Sequence, residues 1–153
     1  MLKKLIAGSQ TGVNRAVLDA ALEMQFPCGG WCPGGRLAED GELHKRYPLE
    51  EAKSKDERIP TELNILEGGA TLILTRGRPT GCTALAGELT RRRGKNLLVI
   101  DLEEVVDADV AVTIIRRWIG DYRIEILNVT GPRESRIPGI YDEVKDILER
   151  LLA

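Results

Sequence analysis

Leu2-Lys3-Lys4-Leu5-Ile6-Ala7-Gly8-Ser9-Gln10-Thr11-Gly12-Val13-Asn14-Arg15-Ala16-Val17-Leu18-Asp19-Ala20-Ala21-Leu22-Glu23-Met24 changes its hydrophobic period halfway along. Leu2 to Ala7 reads as a strand, and Gly8 to Gly12 as the turn after it. From Val13 onward Val13, Ala16, Val17, Ala20, Ala21 and Met24 recur at i, i+3, i+4, i+7, i+8 and i+11, the spacing of one helix face. Pro27 closes that helix. A strand running through a glycine turn into a helix is the opening of a β-α unit, and the rest of the chain repeats it.

Cys28 to Cys32 reads as a short second strand, and Pro33 to Pro48 as a long polar loop without a period, of the kind that is often functional. Thr61 to Glu67 is a short helix closed by Gly68-Gly69. Ala70 to Thr75 is a strand, and the turn from Arg76 through Gly77, Arg78, Pro79, Thr80, Gly81 and Cys82 to Thr83 leads into a helix that carries Leu85, Ala86 and Leu89. That helix ends in Arg91-Arg92-Arg93 before Gly94, where three cations suit the negative end of the helix dipole, which makes a nucleic-acid patch the weaker reading of the run. Asn96 to Asp101 is a strand. Val110, Ala111, Ile114, Ile115 and Trp118 mark the inner face of a helix stopped at Gly120, and Arg123 to Val129 is the last strand. After the turn Thr130 to Ser135, Ile140, Val144, Ile147, Leu148 and Leu151 form the face of the closing helix. Strand and helix alternate about five times, and buried parallel strands read as near-continuous apolar runs, as these do. The expected fold is α/β, a three-layer sandwich with a mostly parallel sheet of about five or more strands, in one domain over 1–153.

Of 153 residues, 22 are basic and 24 acidic, a formal net charge of −2. Nothing in that balance draws the whole molecule to nucleic acid or anionic lipid, so an anionic ligand needs a local site. No apolar run approaches the roughly 20 residues that span a bilayer, and the apolar start before Gly8 is too short for a signal peptide. A soluble, cytoplasmic protein is expected. Cys28, Cys32 and Cys82 are odd in number, and Cys28 and Cys32 have only His44 as an imidazole companion. Structural thiols are favoured over a zinc site, and no metal site is assigned.

In an open α/β sheet, ligands sit beyond the carboxyl ends of the strands. Gly8 to Gly12, Gly77 to Thr83 and Thr130 to Ser135 fall at that edge. Their glycines let backbone N–H groups approach a ligand, and helix starts add partial positive charge, which together suit a phosphate or other oxyanion. Gln10 and Thr11 either bond a ligand or, for Thr11, cap the helix; Thr80 and Thr83 offer hydroxyls, with Thr83 an alternative cap. Arg15 either reaches back to an anion or lies solvated, and Arg133 either forks on an oxyanion or, as arginines in exposed turns more often do, lies solvated. The adjacent carboxylates Glu39 and Asp40 are read as solvated rather than metal-binding. No Ser-His-Asp or Cys-His apparatus is visible, so no catalytic residue is assigned.

Several blocks taken together resemble the "putative molybdenum carrier" family: Gly8 to Ala16, Gly29-Gly30-Trp31-Cys32-Pro33-Gly34-Gly35-Arg36, Ala38 to Gly41, Thr61-Glu62-Leu63-Asn64, Ala70 to Leu74, Thr80-Gly81-Cys82-Thr83-Ala84-Leu85, and Leu127-Asn128-Val129-Thr130-Gly131-Pro132-Arg133-Glu134-Ser135. The resemblance runs from about Ile6 into the final helix. It implies a Rossmann-like fold, related to molybdenum-cofactor carriers and more distantly to phosphoribohydrolases once labelled lysine decarboxylases. It further implies molybdenum cofactor or molybdate as the small anionic ligand, a homo-oligomer, and a molybdoenzyme apoprotein as possible recipient. The sheet-edge turns and these blocks together give as binding candidates Gly8, Ser9, Gln10, Thr11, Gly12, Arg15 and Arg36, then Gly77, Thr80, Gly81, Cys82 and Thr83, then Asn128, Gly131, Arg133 and Ser135.

Two departures from the family pattern stand out: Pro60 replaces an arginine before the Thr61 block, with Arg58 offset, and Cys82 replaces a glycine. Aligning the phosphoribohydrolase threonine with Thr83 puts Ala86 where that enzyme has its glutamate, and Glu88 about 200° away round the helix. A binding or carrier protein is therefore the leading expectation. A nucleotide-processing hydrolase using Glu39, Asp40 or Glu88 is the alternative, and a nucleotide-sensing oligomeric module a third reading.

Overall fold

The computed structural model describes residues 1–153. In chain order it comprises β1 (Lys4–Ile6), α1 (Val13–Glu23), β2 (Cys28–Gly29), β3 (Trp31–Cys32), β4 (Leu37–Ala38), β5 (Gly41–Glu42) and β6 (Glu50–Glu51). Then follow α2 (Arg58–Glu67), β7 (Ala70–Thr75), α3 (Gly81–Arg92), β8 (Asn96–Asp101), α4 (Ala108–Asp121), β9 (Ile126–Thr130) and α5 (Ile140–Leu152). Five strands form one sheet in the order β2-β1-β9-β7-β8, with every pairing parallel. The expected α/β, Rossmann-like sandwich is the fold observed.

Alternation along the central strands sorts the two faces. Leu5, Leu72, Leu74, Leu127 and Val129 are buried in the cluster that also holds the inner faces of α1, α4 and α5. The intervening Thr71, Thr75, Asn128 and Thr130 turn to the face covered by α2 and α3, where Thr71 Oγ1 takes hydrogen bonds from Thr90 Oγ1 at 3.1 Å and Asn128 Nδ2 at 3.3 Å. One layer is thus apolar throughout and the other carries a polar patch near the strand ends. The face of α5 read from the sequence (Ile140, Val144, Ile147, Leu148, Leu151) is buried without exception. Each such side chain stabilises the fold by about 1.5–3 kcal/mol. No helix is long and apolar enough to cross a membrane.

Several boundaries differ from the sequence reading. Cys28 to Cys32 is two strands: Cys28–Gly29 pairs with β1, whereas Trp31–Cys32 pairs with β6 in a separate small ladder. The break is Gly30, at φ 131°, whose missing Cβ would lie 2.2 Å from the Ala7 carbonyl oxygen. The stretch expected to be a plain loop, Pro33 to Pro48, contains the antiparallel pair β4–β5. Helix α2 starts at Arg58, and Gly68 ends it in an extended rather than left-handed conformation, at φ −71°. Helix α4 runs past Gly120 to Asp121, and Val110 on it is 48% exposed, with Val112 and Ile119 buried instead. The last strand begins at Ile126 because Arg123, at φ 51°, cannot extend a strand.

Candidate functional site

Strand order decides what meets at the sheet edge. β1, β9 and β7 are the three central neighbours, so the segments leaving their carboxyl ends lie side by side. The chain leaves β1 through α1 toward β2 at one edge, and β7 through α3 toward β8 at the other. Crossovers of one hand running in opposite directions place their helices on opposite faces and leave a crevice at the switch point. A cavity of about 470 Å³ opens there.

All three glycine turns reach it. Gly8, Ser9 and Gln10 line it from the first, Thr80, Gly81, Cys82 and Thr83 from the second, and Gly131, Arg133 and Ser135 from the third, with Asn128 on its floor. Contacts tie the first turn to the third: Val13 N–H donates to Pro132 O at 3.2 Å, and Glu134 N–H to Thr11 Oγ1 at 3.1 Å. Thr11, Gly12 and Arg15 face a second, more open depression of about 370 Å³ beside Asp19, Tyr47 and Tyr141. Arg36 and Gly77 line neither.

Most of the lining side chains are committed to the protein itself. Ser9 Oγ donates to Leu37 O at 3.2 Å. The Gln10 amide accepts from Thr11 N–H and Glu39 N–H and donates to Glu57 Oε1 at 2.9 Å. Arg15 makes a two-pronged pair with Asp40 at 2.9 and 3.0 Å, so it is not free for an anion. Arg36 donates to the carbonyls of Leu43, His44, Tyr47 and Leu49, which makes it the structural clamp of the loop that carries it. Neither helix cap anticipated from threonine forms: Gly12 is the N-cap of α1, and Thr80 that of α3 without a side-chain bond, leaving Thr83 inside the first turn.

The groups left to a ligand are cationic or hydrogen-bond donors. The first residues of α3, whose N–H groups have no partner within the helix, line the cavity together with Thr80 and Thr83. Four arginines line the cavity, Arg76, Arg78, Arg133 and Arg136, against one carboxylate, Glu57. Arg76 is paired with Glu143 at 2.8 Å and Arg133 with Glu57 at 3.2 Å, while Arg78 and Arg136 have no ion pair. A helix start, two hydroxyls and unpaired guanidiniums make a local positive site on an acidic molecule. Cys82 sits among these donors; burial pushes its thiol pKa up, so it is a neutral thiol near neutral pH.

Glu57, Arg78, Arg136, Asn64 and Trp31 line the cavity without having been singled out from the sequence. Arg78 lies within the second turn and Arg136 directly after the third, so turn membership was the available signal. Glu57 is the N-cap of α2, whose start the glycine and apolar spacing placed too late. Asn64 anchors Trp31 by accepting from its N–H at 2.8 Å and donating to its carbonyl at 3.4 Å, a contact between distant segments that spacing does not reveal. Pro60 lines the cavity and Arg58 does not, since Arg58 pairs with Asp56 at 2.6 Å on the outside. Of the carboxylates considered as acid or base, none lines the cavity: Glu39 accepts from Thr11 and Ser135, Asp40 holds Arg15, and Glu88 pairs with Arg92 on the exposed side of α3. Ala86 does line it.

No sequence among curated proteins matches this chain. A crystal structure at 1.45 Å of a protein from Syntrophus aciditrophicus SB, called a "putative molybdenum carrier protein", is similar over 99% of this chain and 96% of that one, with 39% identity and a TM-score of 0.96. Such identity over full length makes the two chains members of one family. Residues 5–152 match the family described as circularly permutated YpsA SLOG, and the chain belongs to that family.

Proposed function

We propose that the protein binds and carries a small anionic ligand in the cavity at the carboxyl ends of β1, β9 and β7. The ligand class is molybdenum cofactor, molybdate or a related phosphate-bearing, nucleotide-like molecule. The observation that carries this reading is the convergence of three glycine turns on one cavity where Arg78 and Arg136, which have no ion pair, stand beside the amino end of α3. About 470 Å³ falls in the range of small-ligand pockets. The ligand suggested by the name of the Syntrophus protein is a hypothesis for this chain, and the donor set fits an oxyanion or phosphate end.

Transfer to a molybdoenzyme apoprotein, self-association and residence in the cytoplasm belong to the same proposal and rest on the family resemblance. Titration calorimetry with molybdate, tungstate, a pyranopterin and nucleoside monophosphates tests the binding. Binding of at least one is expected, with the affinity weakened by roughly 1–3 kcal/mol in Thr83→Ala and in Arg133→Ala, the cost of losing a hydrogen bond to a charged group. Folded protein that gives no heat with any of the four overturns the reading.

A further inference from the structure

A cavity that collects cations for an anion has no electrostatic use for a carboxylate, yet Glu57 lies inside it, and the structure builds the carboxylate in place. The Gln10 side chain fixes its orientation. Its Oε1 accepts from two backbone N–H groups, those of Thr11 at 3.1 Å and Glu39 at 2.7 Å, so its Nε2 is turned to Glu57 Oε1 at 2.9 Å. On the other side Glu57 Oε2 accepts from Arg133 Nη2 at 3.2 Å. The backbone is fastened too, with the Glu57 carbonyl accepting from Thr61 Oγ1 at 2.9 Å. An ionised carboxylate offers about four acceptor positions. Gln10 uses one on Oε1, while Arg133 and the Cys82 thiol, at 4.0 Å, both turn to Oε2, so a position on Oε1 stays free on a side chain that is 40% exposed and lines the cavity.

We propose that Glu57 is the specificity-determining residue of this site: it disfavours bare oxyanions and selects an organic phosphate that also carries hydroxyl or amino hydrogen-bond donors. The inference rests on the anion-binding reading given above and deepens it. A bare oxyanion such as molybdate or phosphate has no N–H or C–OH donor to give Glu57. Seated on Arg133 it would stand one hydrogen-bonded residue away from a like charge, in a partly buried place where charges are weakly screened. A phosphorylated molecule with hydroxyl or amino groups instead lays its phosphate toward Arg78, Arg136 and the start of α3. It turns a donor to the free acceptor position of Glu57, a charge-assisted contact. The cavity volume agrees, since a five-atom oxyanion fills only a small part of about 470 Å³.

The test compares inorganic molybdate, inorganic phosphate and ribose 5-phosphate as calorimetric probes of the parent, Glu57→Gln and Glu57→Asp. The parent is expected to bind ribose 5-phosphate more tightly than either bare oxyanion. Glu57→Gln keeps size and an acceptor but removes the charge. It is expected to gain about tenfold in affinity for molybdate and phosphate and to lose about tenfold for ribose 5-phosphate, a change of about 1.4 kcal/mol in each direction. Glu57→Asp keeps the charge and withdraws the oxygen atoms, so it loses the ribose 5-phosphate contact and gains nothing for molybdate. Thermal unfolding of each variant checks that the fold is intact. Equal shifts for all probes in Glu57→Gln, or a parent that prefers molybdate, overturn the role of Glu57 and leave the anion site standing. A parent that binds none of the probes, nor any ligand of the earlier titration, overturns both.

Discussion

At Gly131 the sequence permits only one residue for a reason of space, and at Gly81 for a different one. A Cβ built at Gly131 would lie 2.1 Å from Leu74 O and 2.5 Å from Val13 Cγ2, because the third turn passes directly over the end of β7 and the start of α1. Gly81 sits at φ 55° with nothing near its missing Cβ, so there the cost of a side chain is only backbone strain. Gly131→Ala must push strand backbone aside and is expected to cost more than about 3 kcal/mol, in the range of severe packing defects. Gly81→Ala is expected to cost about 1–2 kcal/mol, the price of a left-handed conformation for an L-residue. Denaturant unfolding of the two variants measures the difference, and equal midpoints would show that the third turn is looser than its contacts imply.

Elements with a strong period were legible and elements held by contacts alone were not. Helix α5 shows this on the positive side: its five apolar residues at 3.6-residue spacing are the five that are buried. The hairpin of β4 and β5 shows the reverse. Its strands are two residues each, too short to carry a period, and it is fixed by side chains reaching across the chain. Glu39 accepts from Ser135 and Thr11, Asp40 from Arg15, and Leu37 O from Ser9. The three turns could be assigned to one edge from strand-helix alternation, but Glu57 could not be assigned to them, because no local pattern records that the residue capping α2 meets Gln10. This hairpin has a pH dependence of known sign. Ser135 and then Thr11 hold Glu39 below its ordinary value of 4.5, and Arg15 holds Asp40 below 3.8. Carboxylates with lowered folded pKa values stabilise above the unfolded value and lose that contribution as pH falls through the folded one. The hairpin amides are therefore expected to lose hydrogen-exchange protection progressively below about pH 4.5, while those of α5 stay protected. Glu39→Gln, which cannot titrate, is expected to flatten the upper part of that profile. An unchanged profile in the variant would assign the loosening to Asp40 alone.

For the whole molecule, sheet order converts three separate turns into one cavity, and that makes the proposed ligand binding a property of the central strands rather than of any loop. β1, β9 and β7 supply the turns, with β9 paired to both of the others, while β2 and β8 at the edges supply no lining residue. A ligand bridging the turns therefore ties β1, β9 and β7 together at their carboxyl ends. It binds the folded state alone, so at a free concentration of 100 times Kd it adds about 2.7 kcal/mol of stability. For a chain of this length that is a rise in Tm of roughly 5–10 °C. The second depression gives the contrast that makes the prediction specific. Asp19 there already accepts from Tyr47 Oη at 2.6 Å and from Tyr141 Oη, and an added anion would meet Asp19, Asp40 and Glu134. Hydrogen exchange with and without ligand should accordingly show new protection at the amides of 8–11, 80–84 and 130–136, with the outer strand β8 and helix α4 unchanged. Protection confined to the neighbourhood of Tyr47 and Tyr141 would move the site to the second depression, and a rise in Tm without protection of all three turns would mean that the ligand does not span them.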